Sequence, residues 1–240
     1  MKRTVISLTI ALIAIAAQAK TLIAYYSYTN NVHDIVSELT SQIEADVVRI
    51  EPAEKGLDYA ANYYELGSAL ISAIRNNPDD AKSYPAIDPV DVNLADYDTI
   101  IIGAPLWWSN MAAPLQTFLF ENGAAMAGKN IGLIVSSASS GISGVESDAK
   151  RLIPDGNFLS PSLWIRSSQT SNAATMIESW LKTIGYDAIS DTENIRIEQN
   201  NEKKYTVFSI SGAMMAKNVL SLQNLDKGIY IVNRKKLYVK

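Results

Sequence analysis

From Thr21 to Gly185 the chain switches repeatedly between two hydrophobic patterns. Short runs rich in β-branched and aromatic residues occur at "TLIAYYS" (21–27), "ADVVRIEP" (45–52), "YDTIIIGAP" (97–105), "NIGLIVSSA" (130–138) and "LSPSLWI" (159–165). Each reads as a strand or extended segment, and the runs at 97–105 and 130–138 are apolar throughout, as strands covered on both faces should be. Between them lie stretches with helical spacing. "HDIVSELTSQI" (33–43) places Ile35, Val36, Leu39 and Ile43 on one face. "YAANYYELGSALISAIRN" (59–76) ends at the turn signal "NNPDD", and "APLQTFLFENG" (113–123) ends at Gly123. "SDAKRLI" (147–153) is a short helix, and "NAATMIESWLKTIG" (172–185) closes on Gly185. Strand–helix alternation predicts a doubly wound parallel α/β sheet of five strands with helices on both faces. After Gly185 the period falls to two, in "IRIEQNNEKKYTVFSISGAMMA" and "NLDKGIYIVNRKKLYVK", with turn signals at 211–212 and 227–228. That pattern predicts a small C-terminal antiparallel β appendage.

The first residues have a different character. Lys2 and Arg3 precede the apolar run "TVISLTIALIAIAA", and "AQA" at Ala17–Ala19 fits the small-residue rule of a cleavage site. The run is short for a full membrane span. The expected organisation is a signal peptide over 1–19, an α/β domain over 20–188 and a β-rich tail over 189–240. The expected location is therefore exported (periplasmic, cell-surface or secreted), with no stable membrane span once the leader is removed.

Composition narrows the chemistry. The 240 residues are 48% hydrophobic and 19% charged, enough for a sizeable core. There is no cysteine, which excludes disulfides, thiolate catalysis and cysteine metal sites. The net charge of -4 and the lack of a basic stripe argue against nucleic acid as a partner. The single histidine, His33, supports no triad or metal site and reads as a neutral surface residue. The Asp and Glu residues form no metal-like or paired grouping, and "EPAEKGLDYAANYYELG" reads as solvated surface.

In open α/β sheets, ligands bind beyond the carboxyl ends of the strands. Three strand ends here are unusual. At the first, "SYTNNV" (27–32) offers the Ser27 and Thr29 hydroxyls, the Asn30 and Asn31 amides and the unpaired N–H groups of a helix start, which together suit a phosphate without any basic residue. An ordinary strand–helix turn with Asn31 as N-cap is the competing reading. At the second, Trp107 and Trp108 are adjacent just past a strand, so both cannot enter one core, and one is free to stack on a flat ring. At the third, the small residues of "SSASSGISG" (136–144) let backbone approach a planar ligand. Tyr25, Tyr26 and Tyr28 read as packing and rim residues.

These loops resemble those of the flavodoxin-like flavoproteins, which bind flavin mononucleotide (FMN), in the branch that carries a tryptophan pair. There the first loop reads Ser-x-Thr-Gly-Asn-Thr, the second Gly-x-Pro-Ile-Trp-Trp-Gly followed by an Ala/Pro turn and Thr-Phe-Leu, and the third Gly-Gly-Ser-Gly. Here they read "SYTNNV", "GAPLWWS…AAPLQTFL" and "ASSG". The resemblance implies that Ser27, Thr29, Asn30, Asn31 and Val32 hold the ribityl phosphate. It places Pro105, Leu106, Trp107 and Trp108 along the isoalloxazine ring, and Ser137, Ala138, Ser139, Ser140 and Gly141 at its other edge. In the same branch the acidic segment after the second strand borders the flavin entrance. The chain departs from the pattern at Asn30, Ser109, Ala138 and Ser139, each in place of glycine, and at Val32 in place of threonine. The tail resembles a shortened type IX secretion sorting module. The expected function is FMN-dependent electron transfer or reduction of a small oxidised substrate, with a redox partner or small molecule of unknown identity. The alternative is a flavin-free binding module for a protein or glycan.

Overall fold

The computed structural model describes residues 19–187 and, in the C-terminal region, residues 205–209, 214–219, 228–232 and 235–239. The leader read at 1–19 falls, apart from Ala19, outside the described residues, as does the turn signal at 211–212. The chain divides into two compact units, residues 19–190 and a second one containing residues 191–240.

The first unit is a parallel sheet built on β1 (Thr21–Tyr25), which pairs with β2 (Asp46–Arg49) on one side and β3 (Thr99–Trp107) on the other. β3 pairs with β5 (Asn130–Ser137). The fifth position is shared by β6 (Asn157–Phe158) and β7 (Leu163–Arg166), which pair with the start and end of β5. The order is that of the flavodoxin-type doubly wound sheet, with the change of direction between β1 and β3. A short antiparallel strand, β4 (Asn110–Met111), folds back on β3.

Strand alternation sorts the side chains into two cores. Leu22, Ala24, Ile100, Ile102, Leu133 and Val135 face α2 (Ala61–Asn76), α3 (Ala113–Asn122) and α4 (Ser143–Leu152). Ile23, Tyr25, Ile101 and Ile134 face α1 (Asn31–Thr40) and α5 (Ala173–Thr183). On the second face a Cβ at Gly132 would stand 3.1 Å from the Trp180 ring, so the glycine lets α5 lie close on β5. Gly185, at φ 66, ends α5 in the left-handed conformation that glycine adopts without strain.

Several boundaries differ from the sequence expectation. α1 starts at Asn31 rather than His33, and its cap is Asn30, which is left-handed at φ 65 and makes no side-chain cap bond. The expected Asn31 cap is therefore a helical residue. The expected helix over 59–76 opens with Asn62, Tyr63 and Tyr64 at φ 48, 55 and 63, a left-handed turn ahead of the regular helix. α4 begins at Ser143, four positions before the expected 147. β3 runs past Pro105 to Trp107. The extended run at 159–165 is interrupted, with strand pairing only before Leu159 and from Leu163.

The second unit holds β8 (Tyr205–Ser209), β9 (Met214–Val219), β10 (Gly228–Val232) and β11 (Lys235–Val239), an antiparallel sheet in the order β11-β10-β8-β9. Gly228, expected in a turn, opens β10 and pairs with Val239.

Candidate functional site

The first loop leaves β1 at a buried serine. Ser27 Oγ accepts the His33 N–H at 3.2 Å and so serves one of the donors exposed at the start of α1. The Asn30 carbonyl accepts the Asp34 N–H at 2.9 Å. The N–H groups of Asn31 and Val32 have no hydrogen-bond partner among the described residues and sit at the positive end of a ten-residue helix. Thr29 Oγ1, which accepts from Asn31 Nδ2 at 3.2 Å, stands beside them. Asn30 replaces the expected glycine yet takes up the left-handed backbone itself, as asparagine can. The Val32 side chain is 2% exposed and packs in the core with Tyr25 and Val36, so only its backbone is turned to the loop. His33 is not a free surface residue: its Nδ1 and the Tyr25 hydroxyl hydrogen-bond at 2.8 Å, with the two rings stacked.

The second loop is a tight hairpin. Trp107 pairs with Asn110 and Leu106 with Met111, leaving Trp108 and Ser109 as its two turn residues at φ 46 and 64. Positive φ at both central positions is the signature of a type I′ turn, usually supplied by Asn-Gly. α4 fixes this hairpin from below. Asp148 Oδ2 accepts the Met111 N–H at 2.9 Å and Asn110 Nδ2–H at 3.0 Å. A Cβ at Gly144 would lie 1.8 Å from the Ser109 carbonyl oxygen, so glycine is required there.

The hairpin sends its two tryptophans to different places. Trp107 meets Tyr26 and Tyr28 edge-on and Tyr59 at a tilt, with centroids 5.8, 6.4 and 4.8 Å away. Trp108 lies over Gly67 of α2, touches Tyr64 edge-on and remains 40% exposed.

The third loop is anchored by Ser137. Its hydroxyl donates to the Ser140 carbonyl at 2.9 Å and accepts Trp164 Nε1–H at 2.8 Å. Ala138, Ser139, Ser140 and Gly141 are exposed.

These loops enclose a cavity of about 440 Å³, a size typical of small-molecule sites. Tyr28 and Thr29 line it from the first loop, Pro105 to Trp108 from the second, and Ser137 and Ala138 from the third. Ser27, Asn30, Asn31, Val32, Ser139, Ser140 and Gly141 lie outside its lining. Tyr59, Ala60, Tyr64 and Ser167 complete the wall and were not singled out in the sequence. The tyrosines sit in the acidic segment that reads as solvated surface from composition and that the family resemblance sets at the flavin entrance.

Tyr28 ties that segment to the first loop. Its hydroxyl donates to Asp58 Oδ1 at 2.8 Å, and the Ala60 N–H donates to the same oxygen at 2.9 Å. The Tyr28 bond, helped by Ala60, holds the Asp58 carboxyl below its ordinary range and raises the Tyr28 hydroxyl. Burial pushes the Tyr26 and Tyr59 hydroxyls up, so both remain protonated. No Lys or Arg lines the cavity, and among the described residues no His, Cys, Asp or Glu cluster suits a metal.

A parallel sheet in this order, with a cavity at the β1/β3 change of direction, defines a flavodoxin-type fold. The flavodoxin family model matches residues 20–184, and the chain belongs to that family. Among solved structures, it is similar to a candidate flavoprotein from Bacteroides uniformis at 26% identity and TM-score 0.54, over 67% of this chain and 99% of the other. A candidate flavoprotein from Bacteroides eggerthii matches at 24% identity and TM-score 0.56, over 70% and 98% of the two chains. A flavoprotein in complex with FMN from Lactobacillus acidophilus matches at 22% identity and TM-score 0.52, over 65% and 99%.

The residues present fit such a group. Thr29, two residues before α1 begins, lines the aromatic cavity, and two of the lost glycines, at Asn30 and Ser109, are replaced by residues that keep the left-handed backbone. At the third loop a Cβ on Gly141 would meet nothing within 4 Å, so that stretch is open rather than crowded.

Proposed function

We propose that this protein binds FMN between its first, second and third loops, after export, and acts as an electron carrier or reduces a small oxidised substrate. The observation that carries the reading is the meeting of two features at one strand switch. The unpaired N–H groups of Asn31 and Val32 are suited to a phosphate, and the cavity walled by Trp107, Tyr28 and Tyr59 is suited to a flat ring. A similar protein from Lactobacillus acidophilus, solved in complex with FMN, supports the choice of cofactor. When bound, the flavin supplies the redox chemistry.

The chain's part is binding and orientation. Asn31 and Val32 donate backbone N–H groups to the phosphate, with the Thr29 hydroxyl beside them. Trp107 offers its face to the ring while Trp108 stays at the rim. The Tyr28–Asp58 bond keeps the 58–60 segment against the site. Ser137, held by Trp164, fixes where the third loop leaves β5.

Titrating FMN into the chain that begins at Lys20 tests the reading. Quenching of flavin fluorescence that weakens about tenfold or more in Trp107→Ala supports it, and a yellow protein on purification is the simplest sign. No quenching at high micromolar FMN sinks it and leaves the binding-module alternative. Export is read from "AQA" and tested by intact mass: a secreted or periplasmic chain starting at Lys20 is expected, and retention of Met1 overturns it. We also propose that the tail, by its resemblance to a type IX sorting module, directs that export. Its deletion should leave the processed chain, starting at Lys20, short of the cell surface and the medium.

A further inference from the structure

Gly67 is buried in the regular part of α2, past the left-handed turn at Asn62, Tyr63 and Tyr64. Glycine is the least favourable helix residue after proline, because it surrenders the most backbone freedom on folding. A glycine inside a helix therefore calls for a packing reason, and here the tryptophan hairpin supplies one. A Cβ at position 67 would stand 2.9 Å from Cζ3 and 3.0 Å from Cη2 of Trp108, and 3.8 Å from Cε3 of Trp107. The last is ordinary contact, whereas the first two fall well inside the separation that carbon atoms keep. The second loop carries Ser109 where its family pattern has glycine, and the close approach comes instead from glycines of two neighbouring helices. Gly144 of α4 admits the hairpin backbone at the Ser109 carbonyl, and Gly67 of α2 admits its rings.

The two rings do not have the same room to give way. Trp107 is backed by Tyr26, Tyr28 and Tyr59, at centroid distances of 5.8, 6.4 and 4.8 Å. Trp108 meets only Trp107 and Tyr64 among the aromatic rings, both edge-on, and is 40% exposed. The hairpin backbone cannot follow a displaced ring, because Asp148 holds Asn110 and the Met111 N–H. A methyl group at position 67 would therefore push the Trp108 ring off α2 and leave the rest of the hairpin in place. Both tryptophans line the large cavity, so that displacement happens in its wall.

We infer that Gly67 is a positioning residue of the flavin site. By having no side chain it seats the Trp108 ring against α2, and the seated ring slows the departure of the flavin. The effect on the flavin rests on the FMN reading above, whereas the seat itself is independent of it.

The test compares the wild type, Gly67→Ala, Trp108→Phe and the double variant, each in the chain from Lys20. A phenyl ring is shorter than an indole and leaves room for the added methyl. With ¹⁵N labelling, the four tryptophan indole N–H signals are assigned by single Trp→Phe variants. Without FMN, Gly67→Ala should move the Trp107 and Trp108 signals and leave those of Trp164 and Trp180 in place. Helix propensity alone should raise the melting temperature by about 2–4 °C. That gain should appear when Gly67→Ala is added to Trp108→Phe, and should be absent or reversed with Trp108 in place. With FMN, dissociation followed by recovery of flavin fluorescence should be about tenfold faster in Gly67→Ala, the order that overpacking of one side chain produces. Added to Trp108→Phe, the same substitution should bring no further acceleration, whereas a general effect on α2 would act in both backgrounds. Should the wild type take up no FMN, that reading falls, and the indole signals and melts still decide whether Gly67 seats the ring. Should Gly67→Ala fail to fold, the double variant decides: its folding supports the seat and its failure overturns it. The inference is also overturned by unmoved Trp107 and Trp108 signals, by an equal melting shift in both backgrounds, or by an FMN dissociation rate unchanged in Gly67→Ala.

Discussion

The carboxylate of Asp148 accepts the backbone N–H of Met111 at 2.9 Å, a contact that ties α4 to the hairpin that carries both tryptophans. The same oxygen holds Asn110 Nδ2–H, while Arg151 Nη2, bonded to Gln116 Oε1 at 2.9 Å, backs the carboxylate from the other side. The hairpin has no glycine of its own, so its shape is imposed by its neighbours.

Asp148→Ala leaves the Met111 N–H buried without an acceptor. A lost hydrogen bond to a charged group at a buried site should cost about 1.5–3 kcal/mol of stability. FMN binding should weaken with it, because Trp107 loses its support. Urea unfolding and FMN titration on the same variant check both. A stable Asp148→Ala protein with unchanged FMN affinity would show that the hairpin keeps its shape without α4.

Gly144→Ala and Gly141→Ala separate two nearby glycines, one inside α4 and one in the loop before it. At Gly144 the added Cβ falls 1.8 Å from the Ser109 carbonyl oxygen, whereas at Gly141 it meets nothing within 4 Å. Helix propensity alone favours alanine inside α4 by about 1 kcal/mol. Overpacking should reverse that sign at 144 and destabilise by about 1–3 kcal/mol. Gly141→Ala should change stability little. Thermal melts of the pair decide it, and equal behaviour refutes the contact.

Ser109 and Asn30 both adopt left-handed backbone, at φ 64 and 65. A serine pays about 1–2 kcal/mol for it, against roughly 0.5–1 kcal/mol of extra chain entropy if glycine takes its place. Ser109→Gly should therefore raise stability by about 0.5–1 kcal/mol. Asn30→Gly should do almost nothing, since asparagine tolerates the conformation. A destabilised Ser109→Gly would place the turn in another conformation.

The Tyr28–Asp58 tether should fail in acid. The Asp58 carboxyl lies below its ordinary value of 3.8 in the fold, through its bond to Tyr28. Its contribution is then complete above the unfolded value and disappears as pH falls through the lower folded one. Tryptophan emission from the site should hold steady from neutral pH down to the ordinary carboxylate range and change only below it. Asp58→Ala should show the acid-like emission already at neutral pH. A wild-type transition at or above the ordinary value would mean that the bond is not formed in solution.

The sheet could be read from the chain because its central strands are covered on both faces. Ile100, Ile101 and Ile102 must all be apolar whichever way they point. The site was less legible, because contacts distant in sequence override local preference there. Ser143 and Gly144 look like loop residues, yet they begin α4, with Gly144 fitted to the Ser109 carbonyl. Nothing local marks Trp108 and Ser109 as a type I′ turn. Val32 occupies a motif position associated with phosphate but spends its side chain on the α1 core. Tyr59 and Tyr64 reach the cavity from a segment whose composition reads as solvated surface and which only the family resemblance placed at the flavin entrance.

The division of the fifth strand position bears on how the unit behaves among its own copies. A sheet rim with a long unbroken row of free N–H and C=O groups is a template for another chain. One rim here is β2, four residues long, with charged Asp46 and Arg49 at its ends. The other is β6 and β7, two short pieces separated by a stretch that includes Pro161, which has no N–H to offer. Neither rim presents enough continuous backbone to recruit a neighbour, so the fold can keep a strongly apolar set of central strands and still resist edge-to-edge aggregation.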